Sequence, residues 1–260
     1  MRKIYYVVLV FLVILVSCKK EIKNYHEKGY IKSIGYIKNG KRNGISKLFY
    51  LNGNIKQMGN WINDKQEGEW LYYYENGILN SKINFKNDLQ DGLALFYNED
   101  GKLYEESNWK DGYLAGQSKT FYPNEQIKEY FYWIKGLKHG QSIIYYENGY
   151  LQQIGNWEEG KQQGKFITFY ENKDTLQVGY FLKGKKNGVF KSFFAGNKIE
   201  SRINWDDDIQ TGQSIYYYKN GNIKQIGDFQ RNKPVGNWLL YDEAGKLIKK
   251  KKFNHVEANK

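Results

Sequence analysis

The chain has 260 residues, and 40 Lys and Arg against 28 Asp and Glu give a formal net charge of +12. A single cysteine excludes an internal disulfide framework, and three histidines with no cysteine or carboxylate at ligand spacing offer no recognisable metal set. An aromatic content of 17% with 27 glycines and two prolines points to turns and strands with few interruptions.

The chain opens on the basic segment Met1-Arg2-Lys3, followed by an apolar run of 13 residues from Ile4 to Val16. That length suits the core of a signal peptide and is short for a spanning helix, which needs about 20 residues. The run ends in Leu15-Val16-Ser17-Cys18, which resembles a bacterial lipobox. Residues 1–17 are therefore expected to be a lipoprotein signal peptide, and Cys18 the lipidated residue that anchors the protein to a membrane. Removal of Arg2 and Lys3 would take the net charge from +12 to +10. Lys19 follows the cysteine, where in many Gram-negative bacteria an aspartate retains a lipoprotein in the inner membrane. By analogy the outer membrane is favoured. Residues 18–28 read as a polar tether, with His26 solvated.

From there the chain repeats. A glycine recurs at Gly44, Gly68, Gly92, Gly116, Gly140, Gly164, Gly188, Gly212 and Gly236, always 24 residues apart. An aromatic follows five places later in every copy, from Phe49 to Tyr241, and another sits seven places before the next glycine: Trp61, Phe85, Trp109, Trp133, Trp157, Phe181, Trp205, Phe229 and Phe253. A fixed period of this length decides the architecture before any single residue does. The copy GQSIIYYENGYLQQIGNWEEGKQQG from Gly140 to Gly164 shows the unit most clearly. Its runs Gln141 to Tyr146 and Leu151 to Trp157 flank Asn148-Gly149, a strong hairpin signal. Residues 30–43 read as a degenerate half copy with Ile37 in the Trp column.

The pattern G-x-x-x-x-[FY]-[FY]-x-N-G, then an aliphatic, then [WF]-x-x-G, resembles the bacterial variant of the MORN repeat, found in proteins labelled YwqK-type antitoxins. The resemblance covers residues 29–253 and implies an all-β fold acting as a scaffold or surface binder. It implies, through the label alone, an antitoxin that neutralises a partner toxin. Export counts against that role for a cytoplasmic toxin.

The expected fold is an elongated, single-sheet antiparallel β-meander of about ten 24-residue hairpin repeats, with no internal boundary between 29 and 253 and a tail at 254–260. The turn between copies carries Gly40, Asp64, Asp88, Gly112, Gly136, Gly160, Gly184, Asp208 and Asn232 at one place, all types that tolerate a left-handed backbone. Within the hairpin turn, Glu125, Lys173 and Asn197 replace the usual glycine and are expected to bring a different geometry. Pro123 and Pro234 both fall at turns.

Trp61, Trp109, Trp133, Trp157 and Trp205 form one aromatic column, expected to stack as a structural ladder because a single layer has no opposing core. Tyr50, Tyr74, Tyr122, Tyr146, Tyr170 and Tyr218 form a second column on the opposite face. If open, it presents a row of polar tips suited to glycan or protein contact.

The basic excess favours anionic lipid, acidic glycan or acidic protein partners, while export disfavours nucleic acid. The run Lys249-Lys250-Lys251-Lys252 also blocks an exposed sheet edge. No catalytic constellation is visible. Gly35 to Lys41 mimics a phosphate loop, but Arg42 stands where Ser or Thr is required. Asp228-Phe229 is followed by Gln230 and no catalytic loop accompanies it, and Asp206-Asp207-Asp208 reads as a solvated turn. The sequence reading is a membrane-anchored envelope lipoprotein, non-catalytic and without cofactor. It is expected to bind a protein partner, or alternatively a glycan, an anionic lipid or a toxin.

Overall fold

The computed structural model describes residues 19–254. Cys18, the signal segment before it and His255 lie outside the described residues. The described chain is all strand and turn, in one antiparallel sheet in which each strand pairs with its neighbours in sequence. Of 24 strand segments, four are two-residue pieces: Lys41–Arg42, Leu137–Lys138, Lys185–Lys186 and Ile209–Gln210. Each continues past a bulge into the next strand, so the sheet has twenty rungs. At about 4.8 Å per rung the hydrogen-bond path runs about 90 Å. The first and last strands do not pair, so the sheet is open.

The tenth copy comes from the segment expected to be a tether. Lys20–Tyr25 is a strand paired with Ile31–Lys38, Ile22 opposite Gly35 and Tyr25 opposite Ile31. His26 and Gly29 close the turn as Tyr50 and Gly53 do one copy later. The half copy is therefore a complete hairpin. Lys20 stands in the glycine column and Ile37 in the Trp column, which hid it. Tyr25 and Gly29 are the surviving signals, each 24 residues before Phe49 and Gly53.

Every opening glycine has positive φ, between 62° at Gly212 and 120° at Gly44. Here the strand bulges and crosses from one turn edge into the next hairpin, a conformation open to glycine at little cost. The turn between copies places two successive residues in the left-handed region, such as Asn63 and Asp64 at 50° and 69°. This is the type I′ turn, whose twist matches its strands. In contrast, the hairpin turn needs one left-handed residue, followed by a register shift such as that between Leu48 and Phe49. Glu125 and Lys173 keep this geometry at φ 68° and 74°, contrary to the expectation of a different turn. Only Asn197 differs, because Gly196 before it is also left-handed. Holding a long side chain in this region costs about 1–2 kcal/mol. Glu125→Gly is thus expected to stabilise the chain by about 0.5–1 kcal/mol, read as a higher urea midpoint; a lower midpoint would contradict the strain.

The core is one residue thick and sits on one face. Counting each copy from its opening glycine, the third place of one strand packs over the sixteenth place of the preceding hairpin. In seven of the nine seams a large residue meets a small one, and Gly35 with Ser46 and Ser107 with Ser118 are the exceptions. Trp70 lies over Gly59, Ala94 over Ile83, Ser142 over Phe131, Phe166 over Gly155, Phe190 over Gly179, Ser214 over Ile203, and Trp238 over Gly227. Trp70, Ala94, Phe131, Phe166, Phe190 and Trp238 are buried, as are Ser107, Ser142 and Ser214.

Candidate binding surface

The Trp column lies on this same face and completes it. Rings from the third, sixteenth and eighteenth places alternate as edge-on contacts. Trp61, Trp70 and Phe85 are 5.1 and 6.3 Å apart. Farther along, Trp157, Phe166, Phe181, Phe190 and Trp205 form an unbroken run at 5.0–6.3 Å. Edge-on geometry sets the positive rim of one ring against the negative face of the next. Serines take the indole N–H groups: Trp133 Nε1 donates to Ser118 Oγ at 2.7 Å and Trp157 Nε1 to the buried Ser142 Oγ at 2.9 Å. Trp109 Nε1 donates to Ser107 Oγ at 3.1 Å.

Basic side chains lie against this ladder. The Arg42 guanidinium is 3.5 Å from the centre of the Trp61 ring. Lys138 Nζ sits 3.6 Å from Phe131 and 4.9 Å from Trp157, and Lys186 Nζ 4.6 Å from Trp205. Removal of the Lys138 ammonium from water pushes its pKa below 10.5, with the Glu129 carboxylate opposing.

The second column, expected as a row of free polar tips, is placed differently. Tyr50, Tyr74, Tyr122, Tyr146, Tyr170 and Tyr218 are half-buried, and each hydroxyl donates to a backbone carbonyl of the next copy. The acceptors are Tyr73, Tyr97, Tyr145, Phe169, Phe193 and Tyr241, at 2.7–2.9 Å. These tyrosines staple copy to copy. Asn98 and Phe194 break the series. Tyr146→Phe is expected to cost about 0.5–1.5 kcal/mol, because the Phe169 carbonyl loses its donor. Faster amide exchange at the turn that follows would report it; unchanged exchange would mean the hydroxyl carries no net stability.

The turn edges are stitched in the same copy-to-copy fashion. Asn52 and Asn220 Nδ2 donate to the carbonyls of Glu75 and Glu243. On the other edge, Asp64, Asp88 and Asp208 accept from the amides of Arg42, Gln66 and Lys186. Asp207 pairs with Lys185 at 2.8 Å, so the acidic turn at Asp206 to Asp208 is engaged by the preceding copy. Among the described residues no three His, Cys, Asp or Glu gather as a metal site.

One region departs from the repeat. At Gly116 a cavity of about 730 Å³ opens between two turns, lined by Tyr113, Tyr132, Trp133, Ile134, Asp111 and Lys135 among others. No motif in the sequence marks it. Its signal was the failure of three copy positions to follow their columns.

Comparison with known proteins places the repeat. Segments 42–63, 66–87, 90–111, 138–159 and 210–231 match a family model described as the MORN repeat variant. Half of the ten copies therefore carry a MORN repeat signature. The matching copies all keep the hairpin glycine: Gly53, Gly77, Gly101, Gly149 and Gly221. Copies with Glu125, Lys173 or Asn197 there, and the terminal copies, go unmatched. The fold nevertheless treats matched and unmatched copies alike. No curated protein matches the chain. Among solved structures, a TcdB2-TccC3-Cdc42 complex aligns at 13% identity over 88% of this chain and 15% of the other, with a TM-score of 0.21. The chain thus spans a small fraction of that relative's length. A porin-like protein from Bacteroides uniformis aligns at 10% identity over 90% and 94% of the two chains, with a TM-score of 0.17. Superpositions this loose carry no argument about fold or function.

Proposed function

We propose that the array is a non-catalytic binding scaffold, tethered to a bacterial membrane through a lipid on Cys18 and engaging a protein partner in the cell envelope. The observation that supports this reading is the edge formed by the turns between copies. Ile62, Leu89, Tyr113, Ile134, Leu137, Leu182 and Ile209 stand exposed along it, in a sheet with no second layer to cover them. A recurring exposed apolar edge rimmed by charged turns suits contact with another protein. Repetition at fixed spacing lets several weak contacts act together. The reading leaves no role for a cofactor or a nucleic acid.

The test is crosslinking in intact cells, then capture of the full chain and mass spectrometry, with Cys18→Ala alongside. One dominant partner, lost in Cys18→Ala, supports a tethered scaffold. Recovery of no protein above background overturns it. A second reading, contact with anionic lipid, is favoured by the exposure of Lys249, Lys250, Lys251 and Lys252 on the final strand. Flotation with anionic vesicles would then fall steeply with salt, since exposed charges are screened within about 8 Å at physiological ionic strength.

A further inference from the structure

We propose that the groove at Gly116 is a binding site for an uncharged glycan, with Tyr113 and Tyr132 as its stacking platform. The proposal differs from the protein-partner reading in its ligand and is tested at Ala115 and Tyr132, which that reading does not use, although Tyr113 and Ile134 belong to both surfaces.

Around the groove three places depart together from the residues that cap, bridge or carry charge elsewhere in the array. In three other copies the residue before the opening glycine reaches forward to cap the next turn. Glu67 Oε2 accepts from the Asn87 amide at 3.0 Å, Asp91 Oδ2 from Asp111 at 3.4 Å, and Gln163 Oε1 from Lys183 at 2.9 Å. Ala115 has no acceptor to offer the equivalent amide of Lys135. Ala115 and Lys135 both line the groove.

The second departure is Tyr132. Its column usually holds asparagine, whose Nδ2 bridges to a carbonyl of the following strand: Asn84 to Leu93, Asn108 to Gln117 and Asn204 to Gln213. Tyr132, like Tyr36 and Tyr180 in the same column, gives up that bridge, and it stands 40% exposed. Of the three, only Tyr132 lines this groove, beside Ala115 and Tyr113. Third, Tyr113 stands 60% exposed at a place where lysine is the commonest residue. A periodic fold repeats what holds it together. Local substitutions that forgo a cap and a bridge, and that converge on one groove, are explained by a ligand.

The chemistry of the groove specifies the ligand. Sugar rings present C–H faces, which meet the negative face of an aromatic ring, and hydroxyls around the rim. Asp111 supplies a carboxylate that accepts from two neighbouring hydroxyls, and the Lys135 amide and ammonium donate. The charge is balanced locally. Lys110 is paired with Asp91 at 2.8 Å, which leaves Asp111 and Lys135 as the remaining opposite charges of the lining. On a chain with a net charge of +12 this near-neutral patch disfavours an anionic headgroup and suits an uncharged ring. The volume lies within the range of about 300–1,000 Å³ usual for ligand sites.

The experiment compares the full chain with Ala115→Gln/Tyr132→Asn, which restores the repeat residues and with them the cap on Lys135 and the bridge to Gln141. The restored asparagine has a precedent in Asn204, which makes its bridge beside an equally interrupted strand. Both proteins, in a detergent without sugar headgroups, are titrated with cellotetraose, maltotetraose and chitotetraose and followed by saturation-transfer NMR. Phosphatidylglycerol vesicles form a fourth arm. Saturable binding of at least one sugar, little changed by salt, is expected, with affinity falling at least about tenfold in the variant. The variant's unfolding temperature should be equal or higher, so lost binding cannot be charged to lost folding. No saturable binding up to about 10 mM of any of the three sugars would overturn the proposal. So would equal binding by both proteins, or vesicle binding alone that the variant abolishes.

Discussion

Gly155→Ile is expected to destabilise the array by at least about 3 kcal/mol, and Phe166→Ser added to it to restore most of that loss. A Cβ at Gly155 would fall among the ring atoms of Phe166, which lies flat over the glycine backbone. Phe166 cannot step aside. It is buried and held edge-on between Trp157 and Phe181, at 6.1 and 5.0 Å. Overpacking a rigid site forces backbone or rotamer strain. The rescue follows from the protein's own design. Ile203 with Ser214 already uses the arrangement that the double variant would create. The serine introduced by Phe166→Ser would face Gly179 as Ser142 faces Gly155, and would be covered by Phe190 as Ser142 is covered by Phe166. Two edge-on ring contacts, each worth about 0.5–1.5 kcal/mol, are lost, so recovery is incomplete. Chemical denaturation of both single variants and the double variant gives the coupling energy. Additive losses would show that large and small residues are not matched across this seam.

That seam marks the boundary of what the sequence made legible. The period, the antiparallel meander and the left-handed turns all rest on columns of one residue type, as in Gly44 to Gly236 or Asp64, Asp88 and Asp208. Such columns can be read from a single chain. The buried third and sixteenth places hold Ser, Trp, Ala, Phe, Gly and Ile, and no column there has a constant type. In seven of the nine pairs 11 residues apart a large residue meets a small one, such as Gly59 with Trp70 or Ile83 with Ala94, while Gly35 with Ser46 and Ser107 with Ser118 are both small. Pairing of this kind becomes visible only when the packing partner is known. The tyrosine column misled for the opposite reason. Its regularity was evident, but a regular column is what a staple between identical neighbours needs. Tyr146 reaches the Phe169 carbonyl by the same route that Tyr50 reaches Tyr73. Regularity in a repeat marks structure. The groove at Gly116, made by Ala115, Tyr132 and Tyr113, was overlooked because it consists of exceptions.

Trp70→Ala is expected to cost about 3–5 kcal/mol, whereas Trp70→Phe should cost little or nothing. Trp70 is fully buried, the largest side chain in that state, and it bridges Trp61 and Phe85. Truncation leaves a cavity over Gly59 that a flat backbone cannot fill. The phenylalanine variant differs because the indole N–H is a liability. Among the described residues Trp70 Nε1 is buried without a hydrogen-bond partner, and an orphaned donor costs about 1–3 kcal/mol. Phe166 over Gly155 and Phe190 over Gly179 already show that a benzyl ring fits this seat. Its removal of the unpaired donor offsets the smaller area it buries. The array also dictates where the alanine lesion is felt. Each copy touches only its neighbours, so energies add along one dimension. Hydrogen exchange in Trp70→Ala should rise across residues 44–97 and stay near the parent level across 164–241. Uniform loss of protection would mean that the twenty rungs unfold as one cooperative unit, and the nearest-neighbour account would fail.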